Sequence, residues 1–99
     1  MFDPSMIAKL TEMKSMADSS KQKLDQTTVE GESGGGLIRI VLSGNREVRS
    51  VQINAELDQM NKEDLEDLLT VALKRAMEAA DQLNQQETMA AARNLFPGM

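Results

Sequence analysis

The lysines in the first quarter of the chain are the residues whose type and spacing most readily suggest ligand binding. Lys14 and Lys21 are seven residues apart and would lie on one flank of a helix. Lys9 and Lys23 would lie on the other flank. Rows of ammonium groups can contact phosphates, but they are also common as solvated charge beside an apolar helix face. The spacing therefore leaves open both a phosphate-contacting edge and an ordinary charged surface.

Catalytic chemistry has few candidates in this sequence. Cysteine, histidine, tyrosine and tryptophan are all absent. Their absence excludes a disulfide framework, a thiolate nucleophile and a zinc site of the usual Cys/His kind. No serine has a plausible base to activate it. We therefore predict that the chain is not an enzyme and that it has no cofactor and no small-molecule substrate.

Carboxylates are concentrated in residues 56–67, which contain six acids and Lys62. Most of these acids would crowd the first turns of a helix, where the helix dipole favours anions. A metal site is the sharper interpretation of such a cluster, but no histidine and no acid from a strand is expected to converge on it. The sequence therefore predicts a structural role for the cluster and no metal ion.

The size and composition of the chain favour a small domain that buries apolar surface against a second copy. The chain has 99 residues, 40% of them apolar, and its two aromatic residues, Phe2 and Phe96, lie near the two ends. We expect one domain, residues 1–99, with a thin core and hence a homodimer. Charges interrupt the first twenty residues, and no apolar run approaches the ~20 residues of a membrane span. We therefore expect a cytoplasmic protein with no membrane partner.

The first helix is predicted over about residues 4–25. Asp3 can cap this helix, and Pro4 suits the first helical position. Its apolar residues recur at heptad spacing, with Ser20 as the weak point. This apolar seam consists of Met6, Leu10, Met13, Ala17 and Leu24. The methionines of this helix could fill a core, or they could offer an adaptable surface to a partner helix.

A glycine-rich block separates the first two predicted strands. Glycines 34–36 follow a short strand over residues 28–33 and permit a sharp turn or a bulge. The central strand then covers residues 37–43 and has apolar residues on both faces. A phosphate cradle is the alternative interpretation of the glycines. We disfavour it because these glycines lead into a strand, whereas a phosphate-binding loop leads into a helix.

A tight hairpin turn at residues 44–45 is predicted to connect the central strand to a third strand over residues 47–54. Val48 is out of phase with Val51 in this third strand, which predicts a bulge near Arg49. The sequence therefore predicts a three-stranded antiparallel sheet with a helix on either side of it in the chain, and the fold class is α+β.

The second helix is predicted over about residues 62–93, with Asn61 as its cap and a loop or single turn over 56–60 before it. Its apolar positions alternate by four and three residues: Leu65, Leu69, Ala72, Ala76, Ala79 and Leu83. Residues 84–88 are polar on nearly every face, which predicts a segment that is either exposed between parts of the molecule or frayed. The tail over 94–99 contains a Pro-Gly pair and is expected to be irregular.

The glycine block and the strands after it resemble the signature of a known family. The run Gly-Glu-Ser-Gly-Gly-Gly-Leu-Ile-Arg-Ile covers residues 31–40, and it is followed by Gly-Asn at 44–45 and Val-Gln-Ile-Asn at 51–54. This pattern is similar to that of the YbaB/EbfC family of bacterial nucleoid-associated proteins. Helices flank the same block in that family, so the resemblance covers nearly the whole chain.

The resemblance implies a homodimer whose copies join through their sheets, while the helices project like tweezers. It further implies binding to double-stranded DNA and a cytoplasmic, nucleoid location, with a role in nucleoid organisation and gene regulation. If DNA phosphates are bound, the first helix supplies the leading candidates, because its local net charge is positive. These candidates are Lys9, Lys14, Lys21 and Lys23. The second choices, which nearby acids dilute, are Lys74, Arg75 and Arg93.

Two classes of function remain from the sequence. In the first, a homodimer binds duplex DNA through phosphate contacts. Because the net charge of the chain is −5, we expect such binding to be weak, sensitive to salt and largely indifferent to sequence. In the second, the methionine-rich amphipathic helix makes the chain a protein-interaction module that binds no nucleic acid.

Overall fold

The computed structural model describes residues 4–95 and has the α+β order expected from the sequence. Its elements are α1 (Pro4–Gln26), β1 (Thr28–Ser33), β2 (Ile38–Ser43), β3 (Val48–Ile53), a short 3-10 turn (Leu57–Gln59) and α2 (Lys62–Leu95). The predicted helix cap at Asp3 and the last four residues of the predicted tail lie outside the described residues. The observed bounds agree with the predicted ones to within two residues, and those of β1 are identical.

The sheet has the order β1-β2-β3, and both pairs of neighbouring strands are antiparallel. The predicted bulge is present. Val41 pairs with Ser50 and Leu42 pairs with Val48, so Arg49 is the extra residue in β3. Because of this bulge, Val48 lies on the same face of the sheet as Val51 and Ile53. These three residues pair with Leu42, Ile40 and Ile38 of β2.

The turn between β1 and β2 needs its glycines for conformational reasons. Gly34, Gly35 and Gly36 have φ angles of 62°, 65° and 95°, a region that other L-residues rarely adopt. No heavy atom lies within 4 Å of the position that a Cβ on Gly35 would occupy. The geometry of this turn is therefore sufficient to account for the glycines, without a bound phosphate.

The core lies between α2 and the first two strands. Ile38 and Leu42 are fully buried, and they pack against Ala72 and Ala76 of α2. The sequence placed the next alanine of this stripe at Ala79, but the buried residue is Ala80, and this prediction was wrong by one position. The small alanine side chains of this stripe allow the backbones of helix and strand to come close together.

Gly31 is the residue of β1 that permits this close approach. A Cβ at Gly31 would overlap the backbone carbonyl oxygen of Ala72 and the backbone nitrogen of Ala76. Ser33, two residues further along β1, donates a hydrogen bond of 2.6 Å to the carbonyl of Leu68. The first strand is therefore joined to α2 by backbone contact and by one buried hydroxyl.

The third strand is left uncovered, since α2 packs over β1 and β2. Val48, Val51 and Ile53 are between 42% and 62% exposed. Their cross-strand partners lie in the core, so these three side chains extend the apolar face of the sheet beyond the edge of the helix. An apolar strand face of this kind is a surface expected to be covered in an assembly.

Beyond the sheet, α1 runs antiparallel to the last third of α2, and the pair projects as an arm. We define the arm as residues 4–26 of α1 together with residues 84–95 of α2. The molecule is 67 Å long and about 20 Å wide, with a radius of gyration of 19.3 Å, against roughly 13 Å for a compact chain of this length. The projecting arm accounts for the elongated shape.

Candidate nucleic-acid interface

The two helices of the arm are joined by polar contacts. Glu87 accepts a hydrogen bond of 3.1 Å from the Ser20 hydroxyl and forms an ion pair of 3.2 Å with the Lys23 ammonium group. Open clefts of about 260 and 270 Å³ lie on either side of Glu87, between the helices. The polar segment at 84–88 is therefore part of α2 and lies against α1. Of the two interpretations that its sequence allowed, the structure favours a segment between parts of the molecule over a frayed one.

Side-chain amides hold the base of the arm against the turn between β2 and β3. The Asn84 amide donates to the carbonyl of Gly44, and the Asn45 amide donates to the carbonyl of Lys21 at 3.1 Å. Asn45 also donates to the carboxylate of Asp25. These bonds tie both helices to one turn of the sheet, so the direction in which the arm leaves the sheet is fixed.

Several of the cations in the molecule are neutralised by nearby carboxylates. Arg39 pairs with Glu30 at 2.8 Å, and this hydrogen bond and charge raise the pKa of the Arg39 guanidinium above its usual value. Further ion pairs join Arg46 with Asp81, Arg49 with Glu47, Lys23 with Glu87 and Lys62 with Glu66. The three arginines of the segment from β2 to β3 are thus all paired, which lowers their availability to an external phosphate.

The predicted DNA-binding candidates differ in their availability. Lys14 and Lys21 are exposed on α1 and form no ion pair with a carboxylate of the described residues. Lys74 and Arg93 are exposed on α2 and are likewise without an ion pair in residues 4–95. In contrast, Lys23 is paired with Glu87, while the Arg75 guanidinium donates a hydrogen bond of 2.7 Å to the carbonyl of Glu32.

The position of each candidate in the fold separates two groups. Four lysines of α1 and one arginine of α2 belong to the arm, and these are Lys9, Lys14, Lys21, Lys23 and Arg93. Lys74 and Arg75 lie on the part of α2 that covers the sheet. The structure therefore gathers most of the candidates on the projecting element and places two of them apart from it.

Asp18 is an arm residue that sequence analysis did not single out. It lies four residues after Lys14 and three before Lys21, so it occupies the same flank of α1. Its side chain is exposed, and its charge offsets part of the positive potential of the flank. The spacing of Asp18 from Lys14 and Lys21 in the sequence could have indicated that it weakens the positive potential of this flank.

The uncovered apolar face of β3 continues onto α2. Leu73 and Met77 precede Asp81 by two turns and one turn of helix, so all three share a flank. Asp81 forms an ion pair with Arg46, which lies in the turn between β2 and β3. This flank of α2 therefore faces the edge of the sheet that β3 forms. Leu73 and Met77 are 42% and 36% exposed. We call these two residues, with Val48, Val51 and Ile53, the β3 surface.

Two further properties limit the chemistry of the described residues. Within residues 4–95, no three acidic side chains converge in a way that could hold a metal ion. Neither of the two long helices in that range has an apolar stretch of the length that crossing a bilayer requires. The charged arm and the β3 surface are thus the main surface features that the described residues present.

The fold defines a small α+β protein with a projecting helical arm that carries exposed cations. Residues 3–95 match the YbaB/EbfC DNA-binding family, and the chain belongs to this family. It is 35% identical to a nucleoid-associated protein of Flavobacterium johnsoniae over 94 residues, which cover 95% of this chain and 88% of the relative. It is 36% identical to a nucleoid-associated protein of Neisseria meningitidis serogroup C, covering 89% of this chain and 82% of the relative.

A solved structure has the same fold. The crystal structure of an uncharacterized protein from Helicobacter pylori superposes with a TM-score of 0.77 at 24% identity, covering 91% of this chain and 97% of that chain. Because the superposition covers most of both chains, the overall fold is shared. The family membership makes DNA the partner class of this chain and gives no indication of catalysis.

Proposed function

We propose that the chain is a nucleoid-associated protein of the cytoplasm that binds duplex DNA as a homodimer, through phosphate contacts from the arm. A role in nucleoid organisation and gene regulation follows from such binding. The observation that carries the proposal is the pair of exposed lysines, Lys14 and Lys21, on the arm, whereas the three arginines of the segment from β2 to β3 are all paired with carboxylates. The names of the relatives, which are nucleoid-associated proteins, support the location.

The spacing of the two lysines suits a phosphate backbone. Seven residues of helix separate Lys14 from Lys21, which is about 10 Å along the axis. One strand of B-DNA carries a phosphate for each ~3.4 Å of helix axis, so the two ammonium groups would span about three phosphate intervals. Contacts to phosphates carry no sequence information, and we therefore expect similar affinities for unrelated duplexes.

The acidity of the chain does not oppose this proposal, because the acidic cluster is remote from the arm. Asp67 is the last acid of the cluster, and Glu87 lies in the arm contact, twenty residues later in the same helix. That separation is about 30 Å, or roughly three Debye lengths at 0.1 M salt. Screening therefore removes most of the repulsion between the cluster and a DNA molecule on the arm.

The β3 surface is the site that we assign to the homodimer contact. It combines the open strand face with the exposed flank of α2, and a second copy would remove both from water. A two-fold contact of this kind doubles the number of arms that face one DNA molecule. Two weak phosphate-binding arms then act together, which raises the overall affinity without any further contact.

Light scattering tests the homodimer. We expect about twice the chain mass at micromolar concentration, and we expect Val51→Glu on the β3 surface to shift the protein toward a monomer. Val71→Glu is the matched control, since Val71 is also exposed, at 40%, but lies one helical turn before Arg75 on the flank of α2 that faces β1. A wild-type chain that stays folded and monomeric would contradict this part of the proposal.

Fluorescence anisotropy with two unrelated duplexes tests DNA binding. The logarithm of the binding constant should fall linearly with the logarithm of salt between about 50 and 200 mM, with one common slope for both duplexes. No binding at the lowest salt would contradict the proposal, and so would a slope near zero. The alternative function, a protein-interaction module that binds no nucleic acid, is not favoured, because the family is a DNA-binding family.

A further inference from the structure

The turn between β2 and β3 is the place where both helices of the arm meet the sheet. We call its residues 44–46 the junction turn. Gly44 is buried, and its backbone N–H donates to the carbonyls of Leu24 and Thr27 at 2.9 and 2.8 Å. A Cβ at Gly44 would lie 2.8 Å from the Leu24 carbonyl oxygen and 2.9 Å from the Leu83 side chain. Because Gly44 has no side chain, the junction turn can contact α1 and α2 at the same time.

The end of α1 receives hydrogen-bond donors from the sheet. The last carbonyls of a helix have no partner within the helix itself. The Asn45 amide donates to the Lys21 carbonyl at 3.1 Å and also to the Asp25 carboxylate. The Arg49 guanidinium donates to the Asp25 carbonyl at 3.0 Å. Asn45 therefore binds the last two turns of α1 at two points.

The junction turn is tied to α2 from the other side. The Asn84 amide donates to the carbonyl of Gly44 and, at 3.0 Å, to the carbonyl of Ala80 in its own helix. Arg46 of the same turn is paired with Asp81, one turn of helix before Asn84. Side chains from both helices thus converge on three consecutive residues of the sheet.

Lys14 lies well out along α1 from the junction turn. Leu24 is the buried residue of α1 within the range 4–26. Ten residues of helix, or about 15 Å, separate Lys14 from Leu24. A swing of α1 by about 15° would move Lys14 by about 4 Å, which exceeds the ~3.4 Å between successive phosphates of one DNA strand. A small change of direction at the junction turn is therefore enough to misplace Lys14.

We propose that Asn45 and Asn84 are positioning residues for DNA binding, which act through the junction turn to fix the direction of α1. This inference rests on the proposed function, in which the two arms of a homodimer hold one DNA molecule. Both arms can contact one duplex at once only if each points in a fixed direction. An arm that is fixed in the free protein also avoids the entropic cost of being ordered on binding.

Asn45→Ala tests the inference, and Asn54→Ala is its matched control. The Asn54 amide also donates a hydrogen bond of 3.1 Å to a backbone carbonyl, but this is the carbonyl of Gly36, at the other end of the sheet. Neither substitution changes the net charge, so both variants keep the positive potential of the arm. Circular dichroism and light scattering should show both to be folded and of wild-type mass. If Asn45→Ala does not fold, Asn84→Ala carries the same test from the other side of the turn.

Distances between spin labels measure the direction of α1 without DNA, since the chain contains no cysteine of its own. Ala8 on α1 and Ala92 on α2 are exposed, and Ala8→Cys with Ala92→Cys provides the two label sites. Labelled chains in about a tenfold excess of unlabelled chains report distances within one chain. Ala8 lies about 24 Å along α1 from Leu24, so a swing of about 15° moves its label by about 6 Å.

The spin-label distances should respond to the junction turn alone. Asn45→Ala and Asn84→Ala should each shift the mean distance or widen its distribution by about 3 Å or more, whereas Asn54→Ala should match the wild-type distribution. A wild-type distribution in both junction variants would overturn the inference.

Fluorescence anisotropy with one duplex measures the consequence for binding. Asn45→Ala and Asn84→Ala should each weaken binding about fivefold or more, and Asn54→Ala should stay within about twofold of wild type. The double variant should lose less than the product of the two losses, because both residues act on one turn. An equal loss in Asn54→Ala would contradict positioning, and so would a shifted distance with wild-type affinity. If the wild-type protein binds no duplex, the proposed function fails, and the distances still decide whether these asparagines fix α1.

Discussion

The sheet with the first half of α2 and the projecting arm are built in different ways. In the first region, Ile38, Leu42 and Ala76 are fully buried, and the helix lies on the strand with backbone contact at Gly31. In the arm, Leu24 at the base is buried, and further out an ion pair and a hydrogen bond at Glu87 join the helices. Apolar burial stabilises the first region, whereas polar contacts of small net value join the second.

This difference separates the residues that fold the chain from those that we assign to DNA. Exposed charges on the arm can change with little effect on the free energy of unfolding. Substitutions in the core beneath α2 should unfold the sheet, and they should therefore abolish DNA binding and dimer formation together. The variants below test this division, and they are ordered from the largest expected effect on stability to the smallest.

Gly31→Val should have the largest effect. Its Cβ would overlap the backbone of α2 at Ala72 and Ala76, and backbone cannot move aside as a side chain can. Overpacking a core costs about 1–3 kcal/mol and sometimes more, and we expect at least the upper end of that range. Urea unfolding followed by circular dichroism measures the loss. Thr28→Val, at an exposed position of the same strand, is the control and should unfold near the wild-type midpoint.

Gly35→Val should destabilise the chain less, because a Cβ at this position has no heavy atom within 4 Å and the cost comes mainly from the backbone conformation. The φ angle of 65° at Gly35 is a left-handed value that costs an L-residue about 1–2 kcal/mol, and a β-branched residue resists it further. Gly35→Asn should recover part of the loss, since asparagine tolerates this region. Full stability of Gly35→Val, combined with a loss of DNA binding alone, would instead make the glycine turn a ligand site.

Glu87→Gln tests the contact within the arm. Glutamine can still accept the hydrogen bond from Ser20, but the ion pair with Lys23 is lost. The Lys23 side chain is 70% exposed, so we expect a loss of about 0.5 kcal/mol or less. The released lysine should tighten DNA binding and steepen the salt dependence by up to ~0.9. A stability loss above ~2 kcal/mol would show that the polar contact stabilises the fold more than we infer.

Asp18→Asn should leave stability within ~0.5 kcal/mol of wild type and tighten DNA binding a few-fold. The reason is that Asp18 lies between Lys14 and Lys21 on one flank of α1. Asp67→Asn removes the same charge at a site about 30 Å along α2 from the arm contact at Glu87, and it is the control. Equal tightening by both variants in the anisotropy assay would mean that net charge, and not the flank of α1, determines the affinity.

Local patterns were sufficient to predict much of the fold. Heptad spacing gave the two helices, and the phase of Val48 against Val51 gave the bulge at Arg49. The Asn61 cap is also present, since its side chain accepts a hydrogen bond of 2.8 Å from the backbone of Asp64. Each of these features depends on residues within a few positions of one another, which is the range over which sequence periodicity carries information.

Contacts between distant residues could not be predicted in this way. Nothing in the neighbourhood of Gly31 indicates that the backbone of α2 lies on it, or that Ala80 and not Ala79 continues the buried stripe. Arg46 and its partner Asp81 are 35 residues apart in the sequence. Lys23 and its partner Glu87 are 64 residues apart. Hence the sequence proposed the arm lysines as a group, but the ion pairs that distinguish Lys14 and Lys21 from Lys23 required the folded chain.

The central claim is that Lys14 and Lys21 supply phosphate contacts, and the salt dependence of DNA binding by Lys14→Gln with Lys21→Gln tests it most directly. Each lost phosphate contact lowers the salt slope by roughly 0.9. The double variant should therefore lose nearly two units of slope per arm, equally on two unrelated duplexes, and should unfold as wild type does. Lys62→Gln, remote from the arm, should leave the slope unchanged. A double variant with wild-type affinity and slope would contradict the claim and place the DNA surface elsewhere on the molecule.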